Sequence, residues 1–579
     1  MGFGFETFGG GGFRFMFHQR TIQYIATLWL AAIPHAQSLA GTATGQRAVL
    51  ATVHPLATAA GMKVFRDGGN AMDAAVAAAL TLGVVDGHNS GIGGGCVVLI
   101  RSADGKLVAL DGRETAPARA TRDMFLRDGK GAVELSQTGP LSVAVPGALA
   151  AFDILLKEFG TKELAELLRP AAGIAERGFA IDRIMAQNLR SSAPDLRRFE
   201  ESRRILLRPD GSPLAEGQTL VQPDLARTYR AIAEHGSDWF YRGPFADRVE
   251  QWMRDHGGIL TAADLRNYRA IQRPPIVSTY RGYTIVGFPP PSAGGIHVAE
   301  ILNILQNFDV PGIWRNDPSQ FVHLFAEASK LAMADRAHWL GDADFVAVPR
   351  GLIDSQYASE LAAKIDLGRT TRVPGHGLPT DWRTNVFSGH TTHIAAADGD
   401  GNWIALTATI NTSFGSKVIV PGTGVILNNE MDDFAIQPNV PNAYGLIGAE
   451  NNSIHPGKRP LSSMSPTIVL KDGQPILTIG AAGGPKIITQ VALALVRRID
   501  LEMPLESAID SARYHHQWRP DRLQMEWNVP NSIAERLRRR GHVIDRSGDV
   551  GIMQGVSVDS IGRLRAVNDR RVPGLADGL

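Results

Sequence analysis

A threonine pair followed by a histidine, Thr391-Thr392-His393, heads the apolar run HTTHIAAAD at 390–398. A threonine hydroxyl is a weak nucleophile until a base sits beside it, and a free α-amine on the same residue can be that base. Such chemistry requires the chain to be cut immediately before the threonine. The polar stretch TRVPGHGLPTDWRTNVFSG at 371–389 is where an exposed, cleavable linker is expected. Thr-Thr at a strand start also satisfies plain β-propensity, so the pair alone decides nothing. Other motifs say less. His515 and His516 are adjacent, which turns their side chains to different faces of any regular element. No H-E-x-x-H and no second cluster with ligand spacing accompanies them, so neither a metal nor a cofactor is expected. The glycine runs at 91–95 and 480–484 are not followed by Lys-Ser/Thr and do not fit G-x-G-x-x-G, and no G-x-S-x-G elbow stands out.

The surrounding elements must position these residues. Ala71–Val85, AMDAAVAAALTLGVV, reads as a helix buried on most sides. The runs 96–101 and 107–111, joined across Asp104-Gly105, read as a β-hairpin. Between about 147 and 385 the spacing is mostly helical, with a rigid loop FPPPSAGG at 288–295. Beyond it, 390–398 with 403–411 and 465–470 with 475–480 form two more hairpins, 424–429 forms a further strand, and 485–498 forms a helix. This pattern predicts a layered α/β (α+β) arrangement with antiparallel pairs rather than an alternating parallel sheet.

Composition narrows the setting. With 579 residues, 44% apolar and 20% charged, the chain is built to bury a core. Lys+Arg 59 against Asp+Glu 58 leaves a net charge of +1, so no overall field gathers nucleic acid or an anionic membrane. The single cysteine, Cys96, excludes internal disulfides and Cys-based zinc sites. Residues 1–17 are a Gly/Phe-rich prefix; a basic flank, the apolar run Ile22 to Ile33 and small residues through Ala40 then read as a secretory signal. That run is short of the roughly 20 residues a membrane span needs, so no stable span is expected. Export with one cysteine fits a bacterial periplasm or a secreted location.

At this point the chain resembles the gamma-glutamyltransferase family. HPLAT (54–58), GGNAMDAAVA (68–77), SGIGGGCVVL (90–99), DGRETAP (111–117) and VAVPGALAAF (143–152) follow its large-subunit pattern. TTH (391–393), TATINTSFGS (407–416), ILNNEMDDF (426–434), KRPLSSMSPTIVL (458–470) and GAAGGPKIIT (480–489) follow its small-subunit pattern. The resemblance implies an αββα four-layer sandwich of the N-terminal nucleophile hydrolase type, with helical additions in the large subunit. It divides the chain into a prefix and signal (1–40), a large subunit (41–390) and a small one (391–579), held together as a heterodimer after self-cleavage between His390 and Thr391.

By the same resemblance Thr391 is the nucleophile, Thr409 orients it, and the backbone N–H groups of Gly483 and Gly484 form the oxyanion hole. A γ-glutamyl group carries an α-carboxylate, matched by Arg113, Ser462 and Ser463, and an α-ammonium, matched by Asn411, Glu430 and Asp433. Glu430 and Asp433, lying within four residues, are expected to repel each other until a substrate ammonium lies between them. The segment 438–459 resembles the family's lid, with Tyr444 at its tip. The implied donor is glutathione or another γ-glutamyl amide, and the acceptor is an amino acid, a peptide or water. Departures occur beside the oxyanion glycines, where Ala481-Ala482 and Pro485 replace more usual residues. Two other readings remain: a cephalosporin or glutaryl acylase-like amidase, which has no need of an ammonium cradle, and a catalytically silent member of the fold.

Overall fold

Strands that are apolar at every position can be covered on both faces, and four of them show how this is used. In Ala48–Thr52, Val49 and Ala51 pack into one core while Ala48 and Leu50 pack into another. Val97 and Leu99 alternate in the same way with Cys96, Val98 and Ile100, as do Ala395 and Ala397 with Ile394 and Ala396, and Trp403 and Ala405 with Ile404 and Leu406. The computed structural model describes residues 41–380, 393–438, 440–548 and 550–579. The prefix and signal at 1–40, and the cleavage residues His390 and Thr391, lie outside them.

Two seven-stranded sheets face each other across the core that holds Val49, Val97, Ala395 and Ile468. The first runs Thr42–Gly45, Leu564–Asn568, Ile552–Val558, Gln474–Ala482, Thr467–Lys471, Tyr283–Gly287, Ile276–Tyr280. The second runs Leu575–Gly578, Ala48–Thr52, Ile394–Asp398, Trp403–Thr409, Gly95–Arg101, Leu107–Gly112, Ile271–Arg273. Every pairing within these sheets is antiparallel. Helices Pro55–Arg66, Ala71–Val85 and Ala148–Phe159 cover the outer face of the second sheet, with Leu164–Arg177 packed on Ala71–Val85. Gly294–Leu305 and Lys486–Ile499 cover the first, with Pro318–Trp339 packed on Gly294–Leu305. The order of layers is α, β, β, α, as expected.

Helix Ala71–Val85 begins at a capping box, where Asn70 accepts from the Met72 and Asp73 amides and Asp73 accepts from the Asn70 amide. Every one of its residues is buried, so its small side chains face neighbours all round. One expectation needs correction. The stretch 424–429 is not a strand: only Ile419 and Ile426 bridge, and Gly424 turns the backbone into the left-handed region at φ 65°. The region 147–385 is mostly helical, as expected, and also supplies Ile276–Tyr280 and Tyr283–Gly287, the edge hairpin of the first sheet. Polar Ser278 and Thr279 interrupt the apolar run on that edge, where Val277 and Thr279 are exposed and Ser278 is half-buried.

Candidate active site

Thr409 ends its strand directly against the glycine run 91–95. A Cβ on Gly94 would sit 1.9 Å from the Thr409 carbonyl oxygen, so this run permits backbone contact and is not a phosphate loop. Thr409 Oγ1 accepts the Asn411 amide at 2.8 Å, and Asn411 itself adopts φ 75°, a left-handed conformation that asparagine tolerates better than most residues. Its side-chain amide donates to the Asn429 carbonyl at 3.0 Å, which leaves its side-chain oxygen as the acceptor. Asn428 ties the neighbouring backbone together. It accepts from the amides of Ala144 and Glu430 at 3.0 Å and donates to the carbonyls of Gly93 and Ala144 at 2.9 Å. These bonds launch the 3₁₀ turn Glu430–Asp433.

The charges are arranged differently from the sequence expectation. Arg113, fully buried just after strand Leu107–Gly112, already lies between the two acids. It ion-pairs with Glu430, donates to Asp433 Oδ2 at 2.7 Å and to Glu114 Oε2 at 3.2 Å, and gives Nε–H to the Pro460 carbonyl. The mutual repulsion of Glu430 and Asp433 is therefore relieved within the protein. Burial opposes the charge on Arg113, but Glu430, Glu114 and Asp433 outweigh it and hold the group above its ordinary value. Burial also raises the carboxyls of Glu430 and Asp433, with Arg113 pulling both back.

Gly483 and Gly484, at φ 131° and 59°, end the strand Gln474–Ala482 and enter helix Lys486–Ile499. Their position at a helix N-terminus favours negative charge nearby. A Cβ on Gly484 would lie 2.6 Å from the Tyr444 ring, so the lid residue rests on this glycine. Tyr444 donates its hydroxyl to the Asn411 carbonyl at 2.8 Å, and Asn442 and Ala443 are tied to Asp433 and Asp432. Ser462 is held against the loop 288–295 by a bridge to Ser292 and by its amide bond to Pro291.

These segments enclose a cavity of about 370 Å³. Thr409, Asn411, Glu430, Asp433, Tyr444, Ser462, Ser463, Gly483 and Gly484 all line it; Arg113 stands behind Glu430 and Asp433 and does not. Arg336, which the sequence reading missed, does line it. A usable signal existed: helix Pro318–Trp339 carries Glu327, Lys330, Asp335 and Arg336 yet is buried continuously from Phe321 to Arg336, so those charges need internal partners. The segment approaching the cleavage site is also less free than expected. The Thr371 amide donates to Glu327, the Gly377 amide donates to Asp335 at 2.6 Å, and Trp339 and Trp518 bond the carbonyls of Gly377 and Val373. At the start of the small-subunit pattern, His393 is buried, and that burial pushes its imidazole down to about 3.

Spacing hid one cluster that folding assembles. His323, Glu327 and His542 bring one ligand atom each to within 4.8 Å of one another. The two histidines share a 2.7 Å hydrogen bond and Lys330 Nζ lies 2.9 Å from Glu327 Oε1, so the group's lone pairs and charge already have protein partners.

A model of the family described as Gamma-glutamyltranspeptidase matches residues 57–579. The chain belongs to this family. A glutathione hydrolase proenzyme of Escherichia coli (strain K12) is 40% identical over 530 residues, covering 91% of this chain and 90% of that protein. An acylase ACY 1 proenzyme of Pseudomonas sp. (strain V22) is 39% identical over 534 residues, covering 90% and 92%. The crystal structure of a cephalosporin acylase from Bacillus halodurans matches with a TM-score of 0.82 at 29% identity, over 93% of this chain and 97% of that one. The gamma-glutamyltranspeptidase fold and the four layers seen here agree. Identities of 40% and 39% do not choose between the two activities; that choice rests on the chemistry of the cavity.

Proposed function

We propose that this chain is a self-cleaving N-terminal threonine enzyme that hydrolyses or transfers the γ-glutamyl group of glutathione and related γ-glutamyl amides. The observation that carries the reading is the single cavity joining an acidic and amide cradle (Asn411, Glu430, Asp433), a hydroxyl pair (Ser462, Ser463) and two left-handed glycines at a helix N-terminus. A zwitterionic amino acid with an amide at its far end matches these three parts in charge and in kind. Belonging to a family with a glutathione hydrolase relative supports it.

In the mechanism, Thr391 Oγ attacks the γ-carbonyl carbon while the Thr391 α-amine takes the hydroxyl proton. The amides of Gly483 and Gly484 receive the developing oxyanion, aided by the adjacent helix dipole. Collapse forms a γ-glutamyl ester and expels the amine, which takes back the proton. Water then releases glutamate, or an acceptor amine forms a new γ-glutamyl amide. Cleavage before Thr391 would give pieces 41–390 and 391–579, and two relatives are named as proenzymes. The pieces would stay joined, because strands Ala48–Thr52 and Gly95–Arg101 flank Ile394–Asp398 and Trp403–Thr409 in one sheet. No helix among the described residues is long and apolar enough to cross a membrane; export to a bacterial periplasm rests on the signal-like segment before residue 41.

The test is a denaturing gel beside a γ-glutamyl anilide assay. Wild-type protein should run as two chains and be active; Thr391→Ala should run as one chain without activity. Full activity in an uncut wild-type chain would sink the mechanism. The acylase reading, favoured by the 39% relative, is tested by competing γ-glutamyl and glutaryl derivatives of one aniline. A preference of at least about a hundred-fold for γ-glutamyl is expected, because a glutaryl group brings no N–H donor to the Asn411 side-chain oxygen or to Glu430 Oε2, which has no hydrogen-bond partner among the described residues. Equal turnover would favour the acylase.

A further inference from the structure

We propose that Asp432 and Gln517 are positioning residues that clasp the tip of the lid, residues 442–446, from two sides, hold Tyr444 over Gly484 and so keep substrate in the cavity. The kinetic part rests on the γ-glutamyl reading above; the clasp itself is a property of the fold.

The tip is a small turn closed on itself. Asn442 Oδ1 accepts the amides of Tyr444 at 3.0 Å and Leu446 at 3.1 Å. The Asn442 amide donates to the Leu446 carbonyl at 3.0 Å, and the Gly445 amide donates to the Asn442 carbonyl at 2.9 Å. A turn bonded in this way moves as one body, so a grip on any of its residues sets the place of Tyr444.

On one side the grip is Asp432. It is 1% exposed and, unlike Glu430 and Asp433, has no place on the cavity wall. Its Oδ2 accepts the Ala443 amide at 2.9 Å and its Oδ1 accepts the Ser136 hydroxyl at 2.6 Å, which ties helix Val133–Gln137 to the tip. Burial pushes its carboxyl up to about 6, against the pull of Ser136 and Ala443. Burial thus disfavours the charge, and what the side chain supplies is an acceptor.

On the other side is Gln517, which does not line the cavity either. Its Nε2 donates to the Gly445 carbonyl at 3.3 Å, and its Oε1 lies 3.1 Å from His515 Nε2. An amide oxygen can only accept, so His515 carries its proton on Nε2, and its Nδ1 accepts the Thr489 hydroxyl at 2.8 Å. Burial pushes His515 down to about 3, which keeps it in that neutral form. Thr489 stands on helix Lys486–Ile499, which Gly483 and Gly484 enter. The tip therefore hangs between the turn that carries Glu430 and Asp433 and the helix that follows the two glycines.

The experiment compares wild type, Asp432→Ala, Asp432→Asn and Gln517→Leu in two measurements. One is limited digestion with chymotrypsin, which has targets at Tyr444 and Leu446, read by mass spectrometry. The other is steady-state kinetics on L-γ-glutamyl anilide. Asp432→Ala and Gln517→Leu should each be cut faster in the tip, and each should raise KM about two- to ten-fold with kcat within about two-fold. Asp432→Asn should stay near wild type in both, since its oxygen can accept from Ala443 while its nitrogen donates to Ser136. Either Asp432→Ala or Gln517→Leu without effect on digestion overturns the two-sided clasp. Asp432→Asn as open as Asp432→Ala also overturns it, by making charge rather than the acceptor the cause. A tip that opens with KM unmoved removes its role in retaining substrate. Should Asp432→Ala fail to fold, Gln517→Leu decides alone, because it touches neither acid. Wild type that turns over no γ-glutamyl anilide would sink that reading and leave the digestion result standing.

Discussion

The two ends of the cavity are built from different materials. At one end the wall is backbone, presented by Gly483 and Gly484 where a strand enters a helix. At the other the functional groups are side chains: Arg113 pinned by three acids, Arg336 beside two serines, and Asn411 held by Asn429. Backbone groups keep their geometry with the sheet but tolerate no added atoms. Side chains can be changed one at a time, yet removing Arg113 leaves its acid partners buried without their cation. The first end should therefore fail sterically and the second electrostatically.

Arg113→Met is the sharpest test of the electrostatic end. It leaves Glu114, Glu430 and Asp433 buried without their cation, and breaking such a group costs about 3–5 kcal/mol. The urea midpoint should fall accordingly, and adding Glu430→Gln with Asp433→Asn should recover much of the loss. An unaltered midpoint would mean that the acids are not held as charges.

Gly484→Ala probes the other end. Its Cβ meets the Tyr444 ring at 2.6 Å, and φ 59° is unfavourable for alanine. With one oxyanion donor displaced, kcat on a γ-glutamyl anilide should drop on the order of 10²–10³-fold. Adding Tyr444→Ala should restore part of it by making room. If kcat is undisturbed in the single variant, this glycine is not at the reacting carbonyl.

A pH series reads the charged end more finely. Burial pushes Glu114 up to about 7 from an ordinary 4.5, against the pull of Arg113. An acid raised on folding holds its proton in the folded chain, so the stability it represents is complete below about 4.5 and is lost as pH rises through 7. Thermal midpoints should decline from pH 5 to 8, and Glu114→Gln should flatten that decline. The same slope in both proteins would assign it to another group. The smallest change is at the lid, where the two ends meet. Tyr444→Phe removes one hydrogen bond to the Asn411 carbonyl, with a net value of about 0.5–1.5 kcal/mol. A rise of a few-fold in KM is expected, and a hundred-fold rise would show that the lid does more than close.

Much of this protein was legible in its residues. The hairpins at 96–111, 394–409 and 467–482 follow from apolar runs separated by tight turns, and helix Ala71–Val85 from its Ala-rich apolar run at helical length. Nine of the expected site residues line one cavity. The edge strands Ile276–Tyr280 and Tyr283–Gly287 were not legible, because polar Ser278, Thr279 and Thr284 interrupt the apolar pattern on which a strand reading depends. The failed strand at 424–429 has a different cause. Its apolar run is real, but Gly424 turns left-handed and the backbone groups of Leu427 and Asn428 bond Val418, Ser416 and Gly93 in loops rather than a sheet ladder.

Sequence by itself determined the order of the elements, the alternation that lets two sheets bury both faces, and which residue types converge on the site. Those properties are local, or they repeat along the chain. Only the tertiary structure decided which cation meets which anion. Arg113 lies 317 and 320 positions before Glu430 and Asp433, and Arg336 lies 127 before Ser463, so no spacing rule links them. Whether an arginine neutralises a buried acid or bonds a serine on the cavity wall depends on distances of a few ångströms that exist only once the layers have closed.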